Sequence, residues 1–445
     1  MSYSRNRKVI LFAMMAAALV AVGLMQSWSL SLAIINLCII SAIMSLGVNM
    51  QWGYAGLFNA GVMGFAALGG LAAILVSMPP ITETWAVGGA GIGMTVAVVI
   101  ATIVLCTFAY RRIVSNPLAR NLTVGALAVI GYFTARAFYL PATVAIELIE
   151  PAKTGYLGGA GLPIMIAWPV GGLLAAAAAW VVGRVALGLR SDYLAIATLG
   201  ISEIIIAVLK NEDWLTRGVK NVNGLPRPTP YEVDLQNSPW FIDLAERLGV
   251  TVVEFSSIYV KLCYAGLFLV VLAIILFLSE RALKSPWGRM MRAIRDNEDA
   301  AEAMGKDVKG RHLQVFILGS AVIGIAGAML TTLDGQFTPT SYQPLRFTFL
   351  IWVMVIVGGS GNNFGAVLGG FLIWFAWIEA EPVGTWLIEV LTAGMAENSD
   401  LRAHLIDSAI YMRPITMGLL LLLVLRFSPQ GLIPEESGFD KRAKA

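Results

Sequence analysis

What most constrains this chain is the recurrence of apolar stretches about twenty residues long. A hydrocarbon core about 30 Å thick needs about 20 residues of α-helix to cross it, and only helices or closed barrels satisfy their backbone polar groups there. Such stretches run at 9–27, 30–50, 57–78, 88–110, 121–141, 163–188, 192–210, 257–279, 313–333, 346–362, 364–378 and 413–427. They predict an all-α polytopic membrane protein with about 10–12 transmembrane helices, the shorter and Gly-broken stretches being candidate re-entrant pieces. Charged residues make up only 13% of the 445, and mean hydropathy is +0.75. A soluble domain carries about 25% charge, so a soluble enzyme, a disordered chain and a secreted disulfide scaffold are excluded. The first stretch follows Arg5, Arg7 and Lys8 as in a signal peptide, but a second begins at once, so an uncleaved first helix is expected.

Little in the sequence supports catalysis. Cys38, Cys106 and Cys263 lie far apart inside apolar runs and read as core packing, with neither a disulfide framework nor a zinc spacing between them. His312 and His404 are the only histidines, so no metal site is expected. No G-x-S-x-G, H-E-x-x-H or G-x-G-x-x-G occurs. The phosphate-cradling G-x-x-x-x-G-K-[ST] is also missing, because Gly305-Lys306 lacks the upstream glycine and the following hydroxyl. No cofactor is expected in the chain. With 31 basic against 28 acidic residues, there is no basic face for nucleic acid.

Charge placement sets the expected sidedness. Arg111, Arg112 and Arg120 flank one connection, and Arg184 and Arg190 another. The connection 280–312 holds Arg281, Lys284, Arg289, Arg292, Arg295, Lys306, Lys309 and Arg311, and the tail adds Lys441, Arg442 and Lys444. By the positive-inside rule these connections and both termini are cytoplasmic. The connection 211–256 carries Glu212, Asp213, Glu232, Asp234, Asp243, Glu246 and Glu254 against four basic residues, and 379–412 is also acidic. Both are expected outside, which agrees with the parity of twelve spans. The whole of 1–445 reads as one transmembrane domain, with 211–256 as an external lid or docking surface too small for its own core.

One polar segment stands out. Ser285-Pro286 is a helix start, with the hydroxyl as cap and proline in the first turn, and Gly305 is a stop. The segment between them predicts a short helix, charged on one side and lined with small alanines on the other. Arg292, Arg295, Asp296, Glu298, Asp299, Ala300, Ala301 and Gly305 are its candidate docking residues; a plain solvated loop is the alternative.

Asp299-Ala300-Ala301-x-x-x-Gly305 resembles the EAA-x-x-x-G coupling loop of ABC importer permeases, with Asp in place of Glu. The wider run SPWGRMMRAIRDNEDAAEAMG is similar to permease subunits for branched-chain amino acids of the LivM type. Further matching segments are Gly53-Tyr54-Ala55-Gly56 through Gly61 to Phe65, and Asp192-Tyr193-Leu194-Ala195-Ile196-Ala197-Thr198-Leu199 to Glu203. Thr216 to Pro226, with Gly218, Gly224 and Leu225, also matches. So do Gly358-Gly359-x-Gly361-x-x-x-Gly365-x-x-x-Gly369 and Arg426-Phe427-Ser428-Pro429-Gln430-Gly431-Leu432. The resemblance covers most of 45–75 and 190–432, while 79–165 matches no motif and reads as an accessory helical insertion. Asn59, Arg217, Lys220 and Asn221 depart from the family pattern.

The resemblance implies an ATP-driven importer. A second related permease subunit completes the path, two cytoplasmic ATP-binding subunits hydrolyse ATP and grip the coupling helices, and an external binding protein delivers substrate. All of this sits in membrane lipid, in the inner membrane of a bacterium. Leucine, isoleucine and valine are the implied substrates; urea, short amides and other amino acids are carried by permeases with similar motifs. A self-contained secondary transporter would instead need matching inverted halves and paired intramembrane acids.

Glu203 lies eleven residues beyond Asp192, about 16 Å into the bilayer at 1.5 Å per residue. It is expected to be buried against protein or a water-filled path, as a path-lining group or as a satisfied interhelical hydrogen-bonding group. Asn49, Asn59 and Thr198 are further path candidates. Gly361, Gly365 and Gly369 predict a smooth packing strip, with a re-entrant bend beside Asn362 and Asn363 as the alternative for part of it. Ser320, Gly324 and Ala328 repeat the spacing, and Gly53, Gly56 and Gly61 are also read as packing positions.

Overall fold

The computed structural model describes residues 2–113, 116–150, 154–395 and 399–435, with side chains from Asn6 onward. Lys441, Arg442 and Lys444 of the basic tail, and the Arg5 side chain ahead of the first apolar stretch, lie outside the described residues.

Every predicted apolar stretch holds a helix. Helix α1 (Ser2–Met25) is followed by α2 (Trp28–Ala55), capped where Ser27 Oγ accepts from Leu30 N at 3.1 Å, and by α3 (Val62–Ser77). The short α4 (Thr82–Thr84) passes through a π turn at Trp85–Gly89 into α5 (Ala90–Arg112). Next come α6 (Pro117–Glu147), α7 (Ile164–Ala186) and α8 (Ser191–Asn211). The acidic connection holds α9 (Asp213–Thr216), strand β1 (Val222–Asn223), α10 (Glu232–Gln236) and α11 (Pro239–Leu248). Helix α12 (Val252–Lys284) leads to α13 (Pro286–Asp296) and α14 (Glu298–Ala303). Then follow α15 (Val308–Asp334), β2 (Gln336–Phe337), α16 (Pro344–Gly358), α17 (Asn363–Leu391), α18 (Asp400–Asp407) and α19 (Met412–Phe427).

Among the described residues, ten helical segments are long and apolar enough to cross a membrane, and α3 and α16 are two shorter apolar helices. With 16 and 15 residues they reach only about 24 and 22 Å, less than a full crossing. Each adjoins a non-helical stretch, at 56–61 and 359–362, whose backbone lies inside the protein. Helix α17 runs well past the expected residue 378, to Leu391, and carries Pro382 inside it.

Helix α12 has 33 residues, about 50 Å, and so joins the two ends of the molecule. At its acidic end 211–256 forms a folded cap: β1 pairs antiparallel with β2, Val222 opposite Phe337, and the Phe241 ring stacks on Phe255 at 4.7 Å. At its basic end lie α13, α14, the 359–362 bend and the described end of the chain. The hairpin of α5 and α6 meets the body at the acidic end. There Thr84 Oγ1 donates to the Tyr156 carbonyl at 3.0 Å, and Trp214 Nε1 donates to Glu212 at 2.7 Å and Tyr139 at 2.9 Å.

The centre is packed backbone to backbone. A side chain at Gly69 would strike the Gly324 carbonyl, and one at Gly327 would strike the Ala66 carbonyl, so α3 and α15 touch directly. Gly324 also abuts Gly171 on α7, as the Ser320–Gly324–Ala328 spacing predicts. Gly327→Val must separate α3 from α15, at a cost at or above the roughly 1–3 kcal/mol of overpacking. Its midpoint of thermal unfolding in detergent is expected to fall well below that of Gly266→Val, where nothing lies within 4 Å. Equal midpoints would contradict this packing.

Candidate functional site

The basic end presents two short helices in place of the single helix predicted. Asn297 breaks the run with extended backbone and restarts it, its Oδ1 accepting from Ala300 N at 2.9 Å. Gly305 ends the second helix at φ +75°, a left-handed conformation open to glycine. One face points into the protein: Met291 and Ile294 are buried with Gly288 and Ala301. Burying side chains like the first two stabilises by about 1.5–3 kcal/mol each. The other face is exposed and acidic, with Asp296, Glu298, Asp299 and Glu302 beside Ala300 and Gly305. At its tip Met304 is 78% exposed.

Two arginines tie this outcrop to the spans. Arg295 donates to the Gly53 carbonyl near the end of α2 and pairs with Glu435 at 2.9 Å. Arg292 reaches the same carboxylate at 3.6 Å. Glu435 belongs to a chain end folded back on the bend after α16: Leu432 N donates to the Val357 carbonyl at 2.8 Å and Ile433 N to Gly358 at 2.9 Å. Asn362 Nδ2 holds the Pro434 carbonyl at 3.0 Å. The RFSPQGL motif therefore acts as a strap, with Gly431 against Gly359.

Beside the strap lies a buried amide network. Asn49 Oδ1 accepts from Gly361 N at 2.8 Å, and its Nδ2 donates to Asn363 Oδ1 at 3.1 Å. Asn363 also accepts from Tyr54 and donates to Glu280 at 2.9 Å. Asn59 donates to Gln51 at 2.9 Å and accepts from Gly61 N at 2.8 Å. Thr198 Oγ1 accepts from Ala60 N at 3.0 Å. Asn49, Asn59 and Thr198 thus hold broken backbone together in this conformation. Gly361 is not part of a helical strip: it sits in the bend at φ +81°, before α17 begins. Gly365 and Gly369 do pack on α16, against the Gly358 and Met354 carbonyls. Gly53 packs on Gly361, Gly56 on Arg295 and Gly61 on the Thr198 carbonyl. At the acidic end a cavity of about 250 Å³ opens between α2, α3, α15, α16 and α17.

A family described as branched-chain amino acid transport system / permease component matches residues 119–425. The chain belongs to this family. It is 31% identical over 217 residues to the high-affinity branched-chain amino acid transport system permease protein LivM of Escherichia coli, covering 48% of this chain and 50% of that one. It therefore spans about half the length of that curated relative. It is 25% identical over 268 residues to a probable branched-chain amino acid transport permease LivM of Methanocaldococcus jannaschii, covering 59% and 67%. A xylose transport system permease, XylH of Haemophilus influenzae, is 30% identical over 157 residues, covering 33% and 41%. No solved structure matches. With its ten membrane-length helices, this permease-family chain is a multi-pass membrane protein.

Glu203 requires a correction. The side chain is exposed, on the face of α8 that also exposes Tyr193, Ile196, Gly200 and Ile204, and not buried in the core of this chain. The inward face of α8 is instead Leu194, Thr198, Ser202, Ile206 and Leu209. Two residues of the basic end escaped the motifs. Met304 lies inside the matched segment, where exposure and not type marks it; Glu435 follows the last motif, and only the fold brings it to Arg295.

Arg295 and Glu435 share one half-buried ion pair, so their truncations are not independent. A double-mutant cycle of Arg295→Ala and Glu435→Ala, read by unfolding in detergent, is expected to give a coupling energy in the range of about 0.5–3 kcal/mol for contacting residues. Arg295→Ala should be the costlier single change, because it also strips the Gly53 carbonyl. Additive effects would mean that the strap does not hold the outcrop.

Proposed function

We propose that this chain is a permease subunit of an ATP-driven importer of branched-chain amino acids. The observation that carries the proposal is the α13–α14 outcrop. Its buried face is fixed to α2 and to the strap, and its free face offers acidic side chains and Met304 to another protein. A two-helix projection of this kind has no use in a self-contained carrier, but it suits a subunit that must be pushed by something outside the membrane. Names of relatives support the substrate class; the xylose permease among them supports the transport role more than any one cargo.

In this reading the basic end and both termini are cytoplasmic and the membrane is the inner membrane. Two ATP-binding subunits grip the outcrops of this chain and of a second, related permease subunit. An external binding protein docks on the acidic cap of 211–256, and no catalysis occurs in this chain. Asp296, Glu298, Asp299, Ala300, Ala301 and Gly305 face or shape the ATPase contact, while Arg292 and Arg295 transmit its movement as a rigid body. Asn49, Asn59 and Thr198 lie along the moving parts of the path, and Glu203 faces the second permease subunit across it. The α5–α6 hairpin is an accessory element attached at the acidic end.

Asp299→Lys and Met304→Asp are each expected to strip the ATPase subunits from the purified complex and to lower ATP-driven leucine uptake about tenfold or more, as loss of a central contact does. Both residues are exposed, so the permease itself should remain folded. Retained ATPases in both variants would contradict the coupling role. Uptake of labelled urea in place of leucine by the unaltered complex would overturn the substrate class.

A further inference from the structure

The cavity at the acidic end has a chemistry of its own. Its walls come from α2, α3, α15, α16 and α17, and its mouth from the 334–342 segment that follows α15. Met44, Met63 and Met354 are the deepest lining residues of α2, α3 and α16 and form an apolar floor. Met44 lies sixteen residues beyond Trp28, so the floor is about 24 Å below the outer end of α2, more than halfway along that helix of 28 residues. At 250 Å³ the space is below the roughly 300–1,000 Å³ of pockets for drug-sized ligands, so it holds one small molecule.

The mouth is polar. Asp334 is exposed there, and its carboxylate has no hydrogen-bond or ion-pair partner among the described residues. Ser341 is exposed beside it. Tyr342 is buried, which pushes its phenol above the ordinary range, and its hydroxyl is 3.0 Å from Thr331 Oγ1, so it stays a neutral wall. Between mouth and floor the indole Nε1 of Trp374 is a buried donor with no partner among the described residues.

A free carboxylate at the rim, an unpaired N–H donor in the wall and a floor of adaptable thioethers together match one class of molecule. We propose that this vestibule is a substrate site within the subunit, taking an aliphatic α-amino acid as its zwitterion. The ammonium meets Asp334, and the branched alkyl group descends onto Met44, Met63 and Met354, whose flexible side chains fit several shapes. The three methionines close the vestibule from the amide network of Asn49 and Asn363 beneath, and so mark where the path must open for cargo to proceed. This rests on the importer reading above and adds to it the place where cargo sits.

The test uses the assembled complex in proteoliposomes with Ser341→Cys as a probe. Its labelling by a small, charged thiol reagent is measured against the complex without that cysteine. Leucine is expected to slow labelling and urea to leave it unchanged. Adding Asp334→Asn, nearly the same size but uncharged, should raise the leucine concentration needed for protection about tenfold or more. Met44→Trp should abolish protection by leucine but leave alanine protective. Labelling unaffected by leucine while the unaltered complex still imports it would overturn the vestibule and leave the importer standing. Failure of the unaltered complex to import leucine would overturn the importer reading itself. Protection by a fatty acid and not by leucine would make the cavity a lipid site and also overturn the proposal.

Discussion

A backbone that stops being helical inside a hydrocarbon layer must find hydrogen bonds within the protein, because lipid offers none, at several kcal/mol for each group left unpaired. This chain breaks its helices at 56–61 and 359–362, and side chains replace the missing partners. Asn59 takes the Gly61 N–H, Thr198 takes Ala60, Asn49 takes Gly361, and Asn362 takes Phe364 and Gly365. Trp352 Nε1 donates to the Asn59 carbonyl at 3.0 Å. The two breaks shorten α3 and α16, and the cavity is enclosed between these helices and α2, α15 and α17.

The same amides tie the bend to its neighbours at the basic end. Asn49 and Asn363 sit between the end of α2, the bend, and Glu280 on α12. Arg295 and Glu435 connect that cluster to the outcrop at the basic end. In the proposed importer, a displacement of α13 and α14 would act on α2 and α17, which line the cavity through Ser41, Met44 and Trp374. Closely packed glycines between α3, α7 and α15 form a stiff centre against which such a movement can work.

Much of this was legible in the sequence, because its strongest signals follow directly from the bilayer. Apolar length marked every span, and the Ser285-Pro286 start and Gly305 stop marked the ends of the outcrop. What escaped has a physical cause in each case. Asn297 is a strong helix cap, and its side chain split a run that composition alone made continuous. The face of Glu203 could not be read because α8 is apolar around most of its circumference, so depth was predictable and direction was not. Glu435 acts 140 residues away from Arg295, a distance only tertiary structure closes. The Gly361 spacing looked helical, but Asn362 caps a new helix and leaves Gly361 outside it.

The central claim is vectorial: one end of the chain receives cargo and the other receives force. Labelling of single cysteines from either side of the membrane tests it most directly. Met304→Cys on the outcrop and Val219→Cys on the acidic cap, both exposed, are compared in right-side-out and inverted vesicles with an impermeant thiol reagent. Val219→Cys should label only in right-side-out vesicles and Met304→Cys only in inverted ones. Labelling of both from the same side would contradict the arrangement.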